Sequence, residues 1–393
     1  MPAHRHCFFP VGFCAGLFAL CNGAAALGAV PTIHLVGFLS RSNQHLAVVE
    51  MQGSRSPSSA ILGEGDSFQD ISIAAIDPAA GVVRFRKPGS TDLQEWKLPN
   101  APAAGANSNA IFLQDAEPDT AITVYQHLAR RTVLRGPVLP RSSINLSVST
   151  SLENLLGAVE STLATNGVTI RPAGEWFAFA VRNDQAEALA SLPAPPVAAL
   201  GRRASGLHRF TLYFEQADQS QVLELYQELA GRTVLPGPNI SGRKYSFRNE
   251  TDLTRAEGIW LMESLFRIHG LAVLPQGTNL VIVALPGHTN SLPLLEARPA
   301  LLNDVPMKGA TIQFSEADPK QLLELYAALT GGAAGSVSPH VSPARVSLRN
   351  QGPMTRRETI YALETLAALY GMGFRPDDGG KVDLVPLMEL RKK

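Results

Sequence analysis

A pattern that returns about every 100 residues constrains this 393-residue chain more than its composition does. Tyr125, Tyr226 and Tyr326 stand 101 and 100 residues apart, and Leu128, Leu229 and Leu329 follow them at +3. Ala116, Ala217 and Ala317 lead into Glu117, Asp218 and Asp318. Such acidic residues accept hydrogen bonds from the open N–H groups of a helix start. Pro118 and Pro319 take the next position in the outer copies, where a missing N–H costs nothing. Thr150-x-x-Glu153, Thr254-x-x-Glu257 and Thr355-x-x-Glu358 then read as capping boxes of a second helix. Gly167, Gly270 and Gly371 close that helix, as glycines able to take a left-handed conformation. One box is a weak signal. Three at matching positions argue for a triplicated domain.

The middle copy, Arg209–Leu285, shows the unit most fully. Phe210, Leu212 and Phe214 alternate as in a half-buried strand. Asp218 with Gln221 starts a helix whose apolar face is Val222, Leu225, Tyr226, Leu229 and Ala230. The second helix carries Ile259, Met262, Leu265, Phe266 and His269, and stops at Gly270. Leu271–Leu274, a turn at 275–279 and Leu280–Leu285 follow as strands. Three helix-on-sheet units over 108–183, 209–286 and 309–388 are expected. Each should lay two helices on one face of a small mixed sheet, in the order βαββαββ.

This wording resembles the periplasmic N-terminal ring domains of bacterial secretins, the outer-membrane channels of type II and type III secretion and type IV pili. The shared pattern is a strand, Ala-Asp, a Leu-rich helix, a second helix ending His269-Gly270, Leu-Ala-Val and a terminal apolar strand. The first copy lacks the Phe-x-Glu-Ala-Asp wording. The third reads Gly331-Gly-Ala-Ala-Gly335 where the others read Arg-Thr-Val-Leu. No match to the family's membrane barrel follows, so the resemblance does not imply a complete channel.

Residues 31–98 read differently. Strand signals at Thr32–Leu39, His45–Met51, Ser59–Leu62, Ile71–Ile76, Val82–Arg86 and Gln94–Leu98 alternate with turns and leave no helical stretch. They predict a small sandwich or barrel, and hence an α+β chain with an all-β N-terminal domain. The order Ala60-Ile-Leu, Gly65-Asp66, Ile71-x-Ile73 and Gly81-Val-Val-x-Phe85 resembles the homology region of the type II secretion clamp protein and the equivalent domain of type IV pilus alignment proteins. The resemblance implies docking to a secretin, or to this chain's own repeats. In the first strand, Ile33, Leu35 and Leu39 are expected to face the domain core. Val36 and Phe38 are expected on a partly exposed face that binds a partner.

Residues 1–29 resemble a secretory signal. His4, Arg5 and His6 precede an apolar run, and Ala24–Ala29 offers small residues for cleavage. Export to the periplasm is expected, with an uncleaved inner-membrane anchor as the alternative. All three cysteines lie here, at 7, 14 and 21, so a cleaved chain carries no thiol. Pro-rich linkers lie at 99–110, 190–207 and 287–308.

Thirty-four basic residues balance 34 acidic ones, which argues against a nucleic-acid partner. Charged content of 17% falls below the usual roughly 25%, as in chains that use surface for contacts. No Gly-x-x-x-x-Gly-Lys, His-Glu-x-x-His or Gly-x-Ser-x-Gly occurs. His269, beside a helix-ending glycine, reads as a cation that suits a helix C-terminus. The three tyrosines read as core. No catalytic residue, cofactor or metal site is expected. The reading is therefore a non-enzymatic assembly component whose partners are a secretin or other secretion or pilus envelope proteins, with homo-oligomers open. The alternative is an exported ligand- or nucleic-acid-binding module. Its strand–helix order resembles KH domains, but the Gly-x-x-Gly loop is missing.

Overall fold

A computed structural model describes residues 32–41, 44–52, 58–98, 109–196, 211–250, 252–290, 292, 312–377 and 379–390. The expected signal at 1–29 and most of the three linkers lie outside these residues.

The chain is α+β. Its N-terminal module is all strand: β1 (Thr32–Arg41), β2 (Gln44–Gln52), β3 (Ser58–Leu62), β4 (Ser67–Phe68), β5 (Ile71–Asp77), β6 (Val82–Arg86) and β7 (Gln94–Lys97). The six expected strands form, and the two-residue β4 is added. The order βαββαββ then occurs three times. The first unit has β8 (Ala110–Ala116), α1 (Pro118–Ala129), β9 (Thr132–Arg135), β10 (Ile144–Ser149), α2 (Leu152–Thr165), β11 (Val168–Ala173) and β12 (Phe177–Arg182). The middle unit has β13 (Tyr213–Asp218), α3 (Gln219–Ala230), β14 (Thr233–Pro236), β15 (Lys244–Arg248), α4 (Arg255–Ile268), β16 (Ala272–Gln276) and β17 (Leu280–Ala284), with a one-turn α5 (Pro286–Thr289). The third has β18 (Gln313–Ala317), α6 (Pro319–Thr330), β19 (Ala333–Val337), β20 (Val346–Arg349), α7 (Arg356–Leu369), β21 (Met372–Pro376) and β22 (Lys381–Pro386), with a one-turn α8 (Leu387–Leu390).

Local chemistry sets these limits. Pro118 and Pro319 open α1 and α6. Thr254 caps α4 and Thr355 caps α7, each with its glutamate reaching back to the cap backbone. The expected Thr150–Glu153 box is corrected: α2 starts one residue later, and Ser151 accepts from the Asn154 N–H. Gly167, Gly270 and Gly371 take φ of 85°, 77° and 75°, the left-handed region where glycine carries no Cβ penalty.

The single mixed sheet expected in each unit is two sheets. β13 pairs only with β15, and β18 only with β20, among the described residues. The other strands form three-stranded sheets, β11-β12-β9, β14-β17-β16 and β19-β22-β21, with one parallel and one antiparallel pairing each. The first two of these three-stranded sheets are apolar on both faces. Val133, Ala178 and Ala180 pack under the first unit's helices. Leu134, Phe177, Phe179 and Val181 point the other way, into a core with Val222, Tyr226, Trp260 and Phe266 of the middle unit. The middle unit repeats the arrangement one step along: Leu235, Leu280 and Ile282 enter the third unit's core with Tyr361, Leu363 and Leu366. Successive units therefore stack, each sheet lying between its own helices and those of the next unit.

Candidate functional site

The chain's surfaces for association begin at β1. A bulge between Leu35 and Gly37 breaks the two-residue alternation. Leu35 and Phe38 consequently share one face, packed with Ile71, Ile73, Val83 and Phe85 of the module core. Val36 and Leu39 share the other, packed with Ile111, Val124 and Tyr125 of the first unit. Val36 is 5% exposed and Phe38 4%. The expectation of an open Val36/Phe38 face is corrected. The bulge turns Phe38 into the module core, and Val36 is covered by this chain's own first unit.

That covering is a strand addition. β1 pairs antiparallel with β8 through Gly37–Leu113, Phe38–Phe112, Leu39–Ile111 and Ser40–Ala110. One five-stranded sheet, β10-β8-β1-β2-β3, thus crosses from module to unit. Gly37 permits the approach: a Cβ there would sit 2.2 Å from the Phe112 carbonyl oxygen. β3 then lies along α1, where the Ser59 and Thr123 hydroxyls share a 2.8 Å hydrogen bond. Glu50 of β2 is 3% exposed. Its Oε1 accepts from the Glu117 N–H at 2.8 Å and from the Thr120 hydroxyl. The start of α1 is thereby capped from the module, while α3 and α6 cap themselves through Gln221 and Gln321. Burial and, next, the nearby Glu50 raise the Glu117 carboxyl above its ordinary range.

The two junctions between units are built alike. At the first, the Thr132 hydroxyl accepts from the Glu250 N–H at 3.1 Å. At the second, Thr233 accepts from the Gln351 N–H, also at 3.1 Å. Gln126 Nε2 donates to Glu250 Oε1 at 2.9 Å, and Gln227 Nε2 to Gln351 Oε1 at 3.2 Å. Each glutamine also accepts a backbone N–H of its own unit, from Val133 and Val234. Apolar anchors differ. Trp260 lies 4.8 Å from the Phe177 ring and donates to the Pro193 carbonyl. Its counterpart Tyr361 donates to Gln276 Oε1 at 3.0 Å.

His269 is not the expected cation. It stacks on Tyr245 with centroids 4.4 Å apart. Burial, with Arg243 nearby, pushes its imidazole down to about 4. Tyr125 and Tyr226 are fully buried. Tyr326 is half-buried and stacked on Phe374 at 3.8 Å. Tyr226 and Tyr326 donate to Glu263 and Glu364 of the facing helices, at 2.8 Å each.

Two sheet edges are not covered as β8 is. Among the described residues no strand pairs with the outer edge of β13 or β18. Tyr213, at the start of β13, is 62% exposed. No group of three or more His, Cys, Asp or Glu side chains among the described residues is placed to hold a metal. No helix among them is long and apolar enough to cross a membrane.

Sequence reasoning missed Glu50, which carries no local signal. It also missed Gln126/Gln227 and Thr132/Thr233, although both pairs recur at the 101-residue interval of the tyrosines.

No protein-family model and no curated protein sequence matches the chain. Among solved structures it is similar to the N0 domain of the type II secretin from enterotoxigenic Escherichia coli. Identity is 26%, over 20% of this chain and 99% of that chain, with a TM-score of 0.19.

Proposed function

We propose that the chain is a non-enzymatic, exported assembly component of a secretion or pilus envelope machine. The observation that carries the proposal is the addition of β1 to β8, sealed by Glu50 at the start of α1. There two modules associate through a sheet edge and a helix cap, and the buried Glu50 carboxylate bridges them. Backbone pairing at an edge supplies affinity, and flanking side chains supply selectivity. The sequence resemblance of the module to clamp-type domains, and of the units to secretin ring domains, supports the same reading. On this proposal the partners are a secretin or other envelope proteins of such a system, the location is the periplasm, and neither cofactor nor metal is needed.

The test is chemical cross-linking in intact cells, followed by capture of the chain and mass spectrometry of the linked peptides. Links to a secretin or another secretion or pilus envelope protein are expected. Links confined to cytoplasmic proteins, or co-purification with nucleic acid, would count against the proposal.

A further inference from the structure

We infer that the stack of units is closed at both ends, so that neither a further unit nor a second copy of this chain can join it end to end. The inference is independent of the proposed function. It rests on comparing like positions around the two internal junctions.

The outgoing face of a unit is the far side of its three-stranded sheet. In the first unit this face presents Leu134, Phe177 and Phe179, and in the middle unit Leu235, Leu280 and Ile282. In the third unit the strand pairing puts Lys381 opposite Ala333, where Phe177 and Leu280 stand opposite Thr132 and Thr233. Asp383 follows two residues on, beside Gly335. Asp383 Oδ1 accepts from the Ser336 N–H at 2.7 Å and from its hydroxyl at 2.9 Å. Its carboxylate is also paired with Arg375 at 3.5 Å. The polar groups of the junction are gone too. Ala333 stands where Thr132 and Thr233 accept, and Ala327 where Gln126 and Gln227 donate. Leu387 and Leu390 of α8 lie against Gly373 on the same sheet, so the chain covers part of this face itself.

The incoming face is the outer side of the second helix. Trp260 and Ser264 of α4 and Tyr361 and Thr365 of α7 are buried, Trp260 against Phe177 of the first unit and Tyr361 bonded to Gln276 of the middle unit. In α2 the same turns carry Asn154, Gly157 and Ser161, all exposed. The N-terminal module does not cover them, because it sits over β8 and α1. The first unit thus offers no aromatic anchor and the third no apolar socket. Stacked repeats need polar outer faces at their ends, since an apolar end face recruits a neighbour without limit.

The test uses the full chain in two arms. In the first, Cys7, Cys14 and Cys21 are replaced by serine, and single-cysteine chains carrying Gly157→Cys or Lys381→Cys are mixed and oxidised. No 157–381 disulfide above the collisional background is expected. An efficient one would overturn the inference. In the second arm, Lys381→Leu with Asp383→Leu restores an apolar outgoing face, and Gly157→Trp restores an anchor. Sedimentation of this triple variant should show mass rising with concentration, where the parent shows no such end-to-end growth. An unchanged mass would also overturn the inference, because these residues would not be what ends the stack. Should Asp383→Leu prevent folding, as read by loss of the melting transition, Lys381→Leu with Gly157→Trp gives the same readout.

Discussion

Three non-glycine residues hold the left-handed backbone conformation at like positions. Asp115, Gln216 and Glu316 have φ of 51°, 53° and 54°. Each precedes the alanine that stands two residues before its unit's first helix, at a register shift in the pairing with β10, β15 or β20. The bulge is held by a side chain opposite: Asn145 Oδ1, Ser246 Oγ and Ser347 Oγ accept the three backbone N–H groups. Glu316 is exposed, and no side-chain bond of its own would be lost with it among the bonds described. Left-handed geometry costs an L-residue roughly 1–2 kcal/mol, a cost absent for glycine. Glu316→Gly should therefore raise the denaturant midpoint of unfolding, and Glu316→Val should lower it. Equal midpoints for the two would refute strain at this bulge. Nothing in the sequence marks these positions, because a glycine is the usual signal and none is present.

His269 gives a pH prediction at the same scale. Its folded pKa, about 4, lies below the ordinary imidazole value of 6.5, so the fold holds the neutral imidazole. The associated stability is fully present above pH 6.5 and is lost as pH falls towards 4. The gap corresponds to something on the order of 3 kcal/mol. His269→Phe should flatten the fall in stability across this window, measured by denaturant titration at several pH values. The sequence placed this residue correctly at the helix end and got its charge wrong. Burial against Tyr245 comes from tertiary packing, which a one-dimensional pattern does not display.

Among elements, strands and helices were legible and their partners were not. Alternation located the six main strands of the module, and caps located five of the six long helices well. α2 is capped by Ser151 rather than Thr150, because either residue can cap and the chain's path decides between them. Strand pairing depends on residues far apart in sequence, so neither the β1–β8 addition nor the division of each unit into two sheets could be read off. Phe38 was misplaced for a related reason: one extra residue at a bulge exchanges the faces of a strand. Glu50 shows the consequence for α1. Glu50→Ala would leave two donors at the helix start without their acceptor, at a cost of about 1–3 kcal/mol. Glu50→Gln keeps one acceptor oxygen and should cost less. Hydrogen exchange at the first turn of α1 distinguishes this from a general loss of stability, since protection there should fall before it falls in α2.

Across the whole molecule, the order βαββαββ was visible in the sequence, while the sharing of cores was hidden. A strand apolar on both faces reads alike whether the second face meets another part of its own domain or a neighbouring unit. Ile282 is a case in point: it belongs to the middle unit and is fully buried in the core of the third. Ile282→Ala should destabilise by about 2–5 kcal/mol, as large-to-small core changes do. The loss should appear in α7 of the third unit as much as in the middle unit, read by hydrogen exchange resolved along the chain. Loss of protection limited to the middle unit would show that the junction contributes little.

The shared cores also separate what is covalently joined from what holds together. Leu134, Phe177, Phe179, Val181 and Leu189 stand before residue 197, whereas Trp260, Phe266 and the other buried residues of the core they share stand after residue 210. A single backbone cleavage between 197 and 210 would break the polypeptide without dividing that core. The two fragments should migrate apart on a denaturing gel and co-elute from a sizing column. In proteolytic terms, sites in the linker would report where the chain can be nicked and say little about where the molecule comes apart.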